Sequence, residues 1–172
     1  MIVKHVTQVG NRIIRTKSKE VVVSSKQNKT IVRNLVDSMR YHGLVGMAAP
    51  QIGINKRIFV TEIRKTKTRK SSILDPVRVF INPKILSLSY KKESDYEGCG
   101  SVATGGLFGS VRRSRSVVVE AFDEKGKKFK LRASGLLARI IQHELDHIEG
   151  RVFLDRLPNM KSIMSREEYL RH

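Results

Sequence analysis

Residues 134–150 read Ser-Gly-Leu-Leu-Ala-Arg-Ile-Ile-Gln-His-Glu-Leu-Asp-His-Ile-Glu-Gly. Ser134 is placed to cap a helix and Gly150 to end it. Leu136, Leu137, Ile140, Ile141, Leu145 and Ile148 cover more than one helical face, so the helix is expected to be mostly buried. His143 and His147 stand one turn apart on nearly the same side, in line with Leu136 and Ile140. Glu144 is rotated off that line. In this H-E-x-x-H arrangement two imidazoles reach one divalent ion and the carboxylate serves as general base. Paired histidines also occur as ordinary core residues. However, burying two His, one Glu and one Asp among isoleucines and leucines is costly without a partner, and a metal ion is the obvious one.

A catalytic site of this kind usually takes a third protein ligand and leaves one position open. One familiar completion, H-E-x-x-H-x-x-G-x-x-H, matches through Gly150 but meets Phe153 where the third His belongs. Another takes a Glu further on. Glu167 and Glu168 are in range, in a short charged tail anchored only by Tyr169 and Leu170. The third candidate is Cys99, the single cysteine of the chain, set in Tyr-Glu-Gly-Cys-Gly-Ser. Flanking glycines suit a ligand loop that must approach closely better than a core strand.

Glu97-Gly-Cys-Gly-Ser101 followed by Gln142-His-Glu-Leu-Asp-His147 resembles the second and third motifs of the peptide deformylases. The family's first motif, G-x-G-[LM]-A-A-x-Q, is matched in all but its first position by Leu44-Val-Gly-Met-Ala-Ala-Pro-Gln51. The likeness extends to Val111-Arg-Arg113, to Gly135-Leu-Leu-Ala-Arg139 and to Gly150-Arg-Val-Phe-Leu-Asp155.

The resemblance implies that Cys99, His143 and His147 hold iron(II), which zinc, nickel or cobalt can replace, and that Glu144 is the general base and acid. It places Gln51 and the Gly100 N–H as oxyanion donors, and Gly46 as the residue that gives the backbone room. It pairs Glu97 with Arg113 to fix the ligand loop. The chain departs from the family where Leu44 replaces a glycine and Gly100 a usual leucine. Its Ala103–Gly109 stretch is glycine-rich, and Ser114 stands where proline often follows Arg113. The implied reaction is release of formate from the N-formyl-methionyl end of nascent peptides. Small residues Gly46, Ala48 and Ala49 suit close approach to a formyl group. Val45, Leu136 and Ile140 form an expected pocket for the methionine side chain, with His143 as one wall. A soft thiolate ligand suits late first-row metals and is oxidisable.

With 172 residues and 40% hydrophobic content, the chain fits one catalytic domain over 1–172. It has no apolar run long enough to span a bilayer, and residues 1–7 lack the apolar segment of a signal peptide. One cysteine in a metal-thiolate role points to a reducing cytoplasm. The formal charge of +18 gives a surface that attracts polyanions. Weak electrostatic association with ribosomal RNA is one reading of it, and a solvated face is the other. A monomer is expected.

Asn28 or Thr30 is placed to cap a helix running to His42, with Gly43 as its stop. Residues 58–63 and 77–82 read as strands with an exposed basic loop at 64–76. Residues 117–123 and 128–132 read as a hairpin. The fold class is therefore α+β, antiparallel or mixed sheets wrapped around a central C-terminal helix that carries H-E-x-x-H. Two other readings remain: a metallopeptidase with Glu167 or Glu168 as third ligand, and a lapsed basic RNA-binding relative.

Overall fold

A computed structural model describes residues 2–65 and 73–171. The first helix, α1 (Lys26–Tyr41), starts before Asn28 and Thr30, because Ser25 is the residue in extended conformation whose side chain accepts the Gln27 N–H. Asn28 lies inside the first turn and donates from its amide to the Val22 and Val23 carbonyls. At the far end Gly43 adopts φ +67°, the left-handed turn that favours glycine. Arg64 then donates to the carbonyls of Met39, Arg40 and Leu44. The beginning of the expected basic loop is thus tied to the end of α1, and residues 66–72 of that loop lie outside the described residues.

Seven strands follow in antiparallel pairs before the last short one. β1 (Gly46–Ala48), β2 (Ile58–Ile63), β3 (Asp75–Leu88), β6 (Ser116–Phe122) and β7 (Lys128–Ser134) form a five-stranded sheet in that order. β4 (Lys92–Gly98), β5 (Leu107–Ser114) and β8 (Met164–Ser165) form a second sheet of three. Among the described residues every strand pairing is antiparallel, and the one parallel contact is an isolated bridge between Lys19 and Lys56. β3 is much longer than residues 77–82. Its first half pairs with β2, with one register shift, and its second with β6, with two. At the first shift against β6 Asn82 has φ +49°, and its side chain both accepts from and donates to the Val21 backbone. This carboxamide pins the N-terminal segment to the sheet.

The alternation along β2 and β3 shows how the layers are built. Ile58, Val60, Val79 and Ile81 pack toward Ile31, Leu35 and Met39 of α1. The intervening Phe59 and Phe80, stacked with centroids 4.5 Å apart, face the second helix, α2 (Gly135–Ile148). A sheet covered on both faces requires apolar residues at consecutive positions, which is why these strands read as continuous hydrophobic runs. Ser134 occupies the cap position of α2, although its side chain makes no capping bond. Ala138, Ile141, Leu145 and Ile148 pack on the five-stranded sheet, and the opposite side of α2 faces β4 and β5. The helix is therefore held between the two sheets. A short third helix, α3 (Arg166–Tyr169), closes the described chain.

Candidate metal centre

Cys99 follows β4 in a tight turn and is 3% exposed. Its sulfur lies 3.2 Å from His147 Nε2, and the donor atoms of Cys99, His143 and His147 all lie within 4.8 Å of one another. At metal–ligand lengths of about 2.0–2.3 Å, donors around one tetrahedral ion stand roughly 3.3–3.7 Å apart. The three residues therefore fit a metal ion with little movement, and a thiolate with two imidazoles is a donor set for a late first-row divalent metal. Two buried atoms at this spot, His147 Nδ1 and Glu144 Oε2, have no hydrogen-bond partner among the described residues. Glu167 and Glu168 are exposed on α3 and stand outside the cluster.

Outer contacts fix the cluster. His143 Nδ1 is 2.9 Å from Glu97 Oε2, which turns Nε2 toward the sulfur side. Glu97 is clamped by Arg113, which donates from Nε and Nη2 at 2.9 Å each, and by Arg139 Nη1 at 2.8 Å. Arg113 also binds Asp146, and Asp146 in turn accepts from Arg156. Burial would raise the Glu97 carboxyl. The hydrogen bonds from His143 and Arg113 more than reverse this and hold it well below the usual carboxylate range.

Burial likewise raises the Cys99 thiol, while His147 and His143 pull it down to a net value well below the ordinary one. Glu144 moves the other way. Burial lifts it to about 7 against the pull of His143 and His147, with the Cys99 and Glu97 charges adding to the lift. A carboxyl poised near neutrality suits proton transfer at physiological pH.

Motif one forms the other wall. A Cβ on Gly46 would stand 2.4 Å from Glu144 Oε1 and 2.8 Å from Ile140 Cγ2, so only glycine lets β1 lie against this carboxylate. Gln51 sits on the 3-10 turn after β1. Its Oε1 accepts the Ala48 N–H at 2.8 Å, and its Nε2 points to Cys99 Sγ at 3.7 Å and Ser101 Oγ at 3.4 Å. The Gly100 N–H donates to no backbone acceptor among the described residues. Ala48 and Ala49 belong to the two helix-facing cores and do not line the site. The two departures from the motif pattern meet in space: a Cβ at Gly100 would lie 3.1 Å from Leu44 Cδ1. A leucine on one segment covers the place where the other carries no side chain.

A cleft of about 570 Å³ opens over the cluster, lined in part by Val45, Leu136, Ile140, His143 and Glu144. Sequence reasoning missed several of its supports. The N-terminal segment straps both motifs, with the Thr7 N–H on the Gln51 carbonyl, the Val9 N–H on the Ser101 carbonyl and Gln8 Nε2 on the Gly100 carbonyl. Phe108 and Tyr169 stack at 4.1 Å across the cleft's outer end. Arg139 and Asp146 carried a usable signal. With His143 they repeat at i, i+4 and i+7 on one helical side, a charged row that a buried helix must pair. The aromatic stack had none, since its members lie far apart in sequence.

The family model for polypeptide deformylase matches residues 3–162. A peptide deformylase of Desulforudis audaxviator is 41% identical over 91% of this chain and 94% of its own. One from Dictyoglomus thermophilum is 38% identical over 90% and 93%. The Met-Ala-Ser-bound crystal structure of the class I type b peptide deformylase from Acinetobacter baumannii superposes with a TM-score of 0.85, at 29% identity over 91% of this chain and 99% of that one. With the metal-ligand cluster and its neighbouring carboxylate in place, these likenesses establish that the chain belongs to the polypeptide deformylase family.

Proposed function

We propose that residues 1–172 act as one catalytic domain that removes the formyl group from N-formyl-methionyl peptides, with Cys99, His143 and His147 holding iron(II). The observation that carries this reading is the Cys99–His143–His147 cluster, with Cys99 and His147 buried and His143 half-buried at the cleft, Glu144 beside it and Gly46 pressed against the carboxylate. A divalent ion bound there supplies Lewis acidity, lowering the pKa of water and polarising the formyl carbonyl. Glu144 takes the proton of the attacking water and delivers it to the departing amine, so formate and a free N-terminus leave. Gln51 Nε2 and the Gly100 N–H donate to the developing oxyanion, and losing one such donor costs about 3 kcal/mol of transition-state stabilisation. Glu97 holds His143 in one tautomer, and Arg113 and Arg139 hold Glu97.

Val45, Leu136 and Ile140 receive the methionine side chain, and the Met-Ala-Ser peptide in the Acinetobacter baumannii structure supports a cleft of that use. No helix among the described residues is long and apolar enough to cross a membrane. We place the enzyme in the cytoplasm as a monomer, with its +18 charge supporting weak association with ribosomal RNA. The peptidase reading lacks a ligand, because both tail glutamates are exposed and outside the cluster. The lapsed-relative reading expects loss of a ligand or of the base, and all four residues are present.

The test uses reduced, iron-loaded protein. Formate should be released from formyl-Met-Ala-Ser, with no release of acetate from the acetyl analogue and no cleavage of internal bonds. Glu144→Ala should keep its metal and lose about 10³-fold in kcat, whereas Cys99→Ala should lose the metal. Equal metal loss in both variants would remove Glu144 from its role as base.

A further inference from the structure

The outer end of the cleft is built by the segment from Met164 to Leu170. That segment is docked, not loose. Ser165 and Met164 pair with Leu107 and Phe108, and the Arg166 N–H donates to the Gly106 carbonyl at 2.9 Å. Ser165 accepts the Glu168 N–H, and the Tyr169 ring lies parallel to Phe108 at an interplanar angle of 5°. Phe108 in turn rests on Gly98, where a Cβ would be only 2.7 Å from the ring. Gly98 immediately precedes the ligand Cys99, so the outer wall and the ligand loop are one packed unit.

The charges along this cleft are unequally committed. Glu97 and Glu144 are buried, and Arg139 is spent on Glu97, the Val111 carbonyl and the Glu93 carbonyl. Arg166 lines the same cleft and is exposed. No hydrogen bond or ion pair of its guanidinium is found among the described residues, and its charge lowers the neighbouring exposed Glu167 carboxyl, after that residue's own backbone and Ser165 hydrogen bonds. Cys99, His143 and Arg166 line one cleft, so a peptide with its formyl group at the cluster has a continuous cleft in which its later residues can meet Arg166. A planar guanidinium with free donors is suited to a carboxylate.

Building on the deformylase reading, we propose that Arg166 forms a subsite for a carboxylate on the third residue of the substrate, on a wall set by the Tyr169–Phe108 stack. It is a specificity-determining residue and takes no part in the chemistry. Such an exposed pair is worth a modest factor that shrinks with salt.

The experiment measures formate release by the iron-loaded enzyme from formyl-Met-Ala-Glu amide, formyl-Met-Ala-Gln amide, formyl-Met-Ala-Gln free acid and the short formyl-Met-Ala amide. Calorimetric binding of the corresponding deformylated peptides runs in parallel. We expect KM to be about three- to fivefold lower for the Glu amide than for the Gln amide at low salt, with kcat unchanged. Arg166→Gln should abolish the difference and Arg166→Glu should invert it, both leaving formyl-Met-Ala amide untouched. A gain for the free acid as well would show that the subsite also reads a chain-terminal carboxylate. A wild-type enzyme indifferent to Glu and Gln overturns the proposal, as does a preference that survives in Arg166→Gln. A fall in kcat on the short substrate in that variant would mark a structural role and overturn it too. If no peptide yields formate while the binding preference is present and depends on Arg166, the deformylase reading fails and the subsite stands.

Discussion

The two sides of α2 solve opposite problems. Toward the five-stranded sheet, Ala138, Ile141, Leu145 and Ile148 meet Phe59, Phe80, Val117 and Val119 in an apolar seam. Toward the smaller sheet, His143, Asp146 and His147 meet Glu97, Cys99 and Arg113, and nearly every contact is ionic or hydrogen-bonded. The first side gains stability by removing hydrocarbon from water. The second gains little net stability, because charges taken out of water lose hydration about as large as the attraction they recover. What it obtains is orientation: Glu97, Cys99, Arg113, His143, Asp146 and His147 are each held by at least one polar neighbour, whereas His147 Nδ1 and Glu144 Oε2 have none among the described residues. One helix thus separates holding the fold together from aiming the Cys/His cluster.

The sharpest way to break this contrast is Arg113→Met. Removing the cation leaves Glu97 and Asp146 buried with one partner fewer, and we expect a loss of about 3 kcal/mol by denaturant unfolding. Metal affinity should fall roughly tenfold at the same time, because His143 loses the support behind Glu97. A stability loss with metal affinity intact would mean that the polar side is only a scaffold. Ile141→Val on the apolar side should cost about 1 kcal/mol and leave both metal affinity and kcat of the folded enzyme as they were. If it weakens the metal, the two sides are not separable. The smallest effect concerns Leu44 and Gly100, whose places touch. Leu44→Gly and Gly100→Leu should each raise KM, and the double variant should recover most of the loss, a coupling of about 0.5–1 kcal/mol. Strict additivity in that cycle would show that the leucine and the missing side chain do not compensate.

The helices and the middle strands were legible because their apolar spacing follows from burial on one or two faces. The start of α1 was misplaced by a few residues, since Ser25, Asn28 and Thr30 are all competent caps and only the folded chain shows which one leaves the helix. β4 was not found. Lys92-Glu-Ser-Asp-Tyr-Glu-Gly98 is almost wholly polar, because its outer residues face water while Glu97 is buried against arginines. A buried carboxylate leaves no hydrophobic trace in a sequence. That Cys99, His143 and His147 come together was the easiest part to read, since chemistry restricts candidate metal ligands to few residue types at fixed spacing. The strap of Thr7 to Val9 and the Tyr169–Phe108 stack depend on distant backbone and ring contacts, which no local pattern encodes.

One consequence of the cluster concerns how the molecule comes apart. Cys99 and His147 are 48 positions apart and belong to different layers, the sulfur to the smaller sheet and the imidazole to α2. An ion bound between them is a removable cross-link that closes a long loop. It can form only after the smaller sheet has docked against the helix, and once formed it should hold that sheet in place by mass action. A chelator would therefore do more than stop turnover. It would free the layer that carries β4 and β5 to open first, and the order of unfolding would report whether the metal is present.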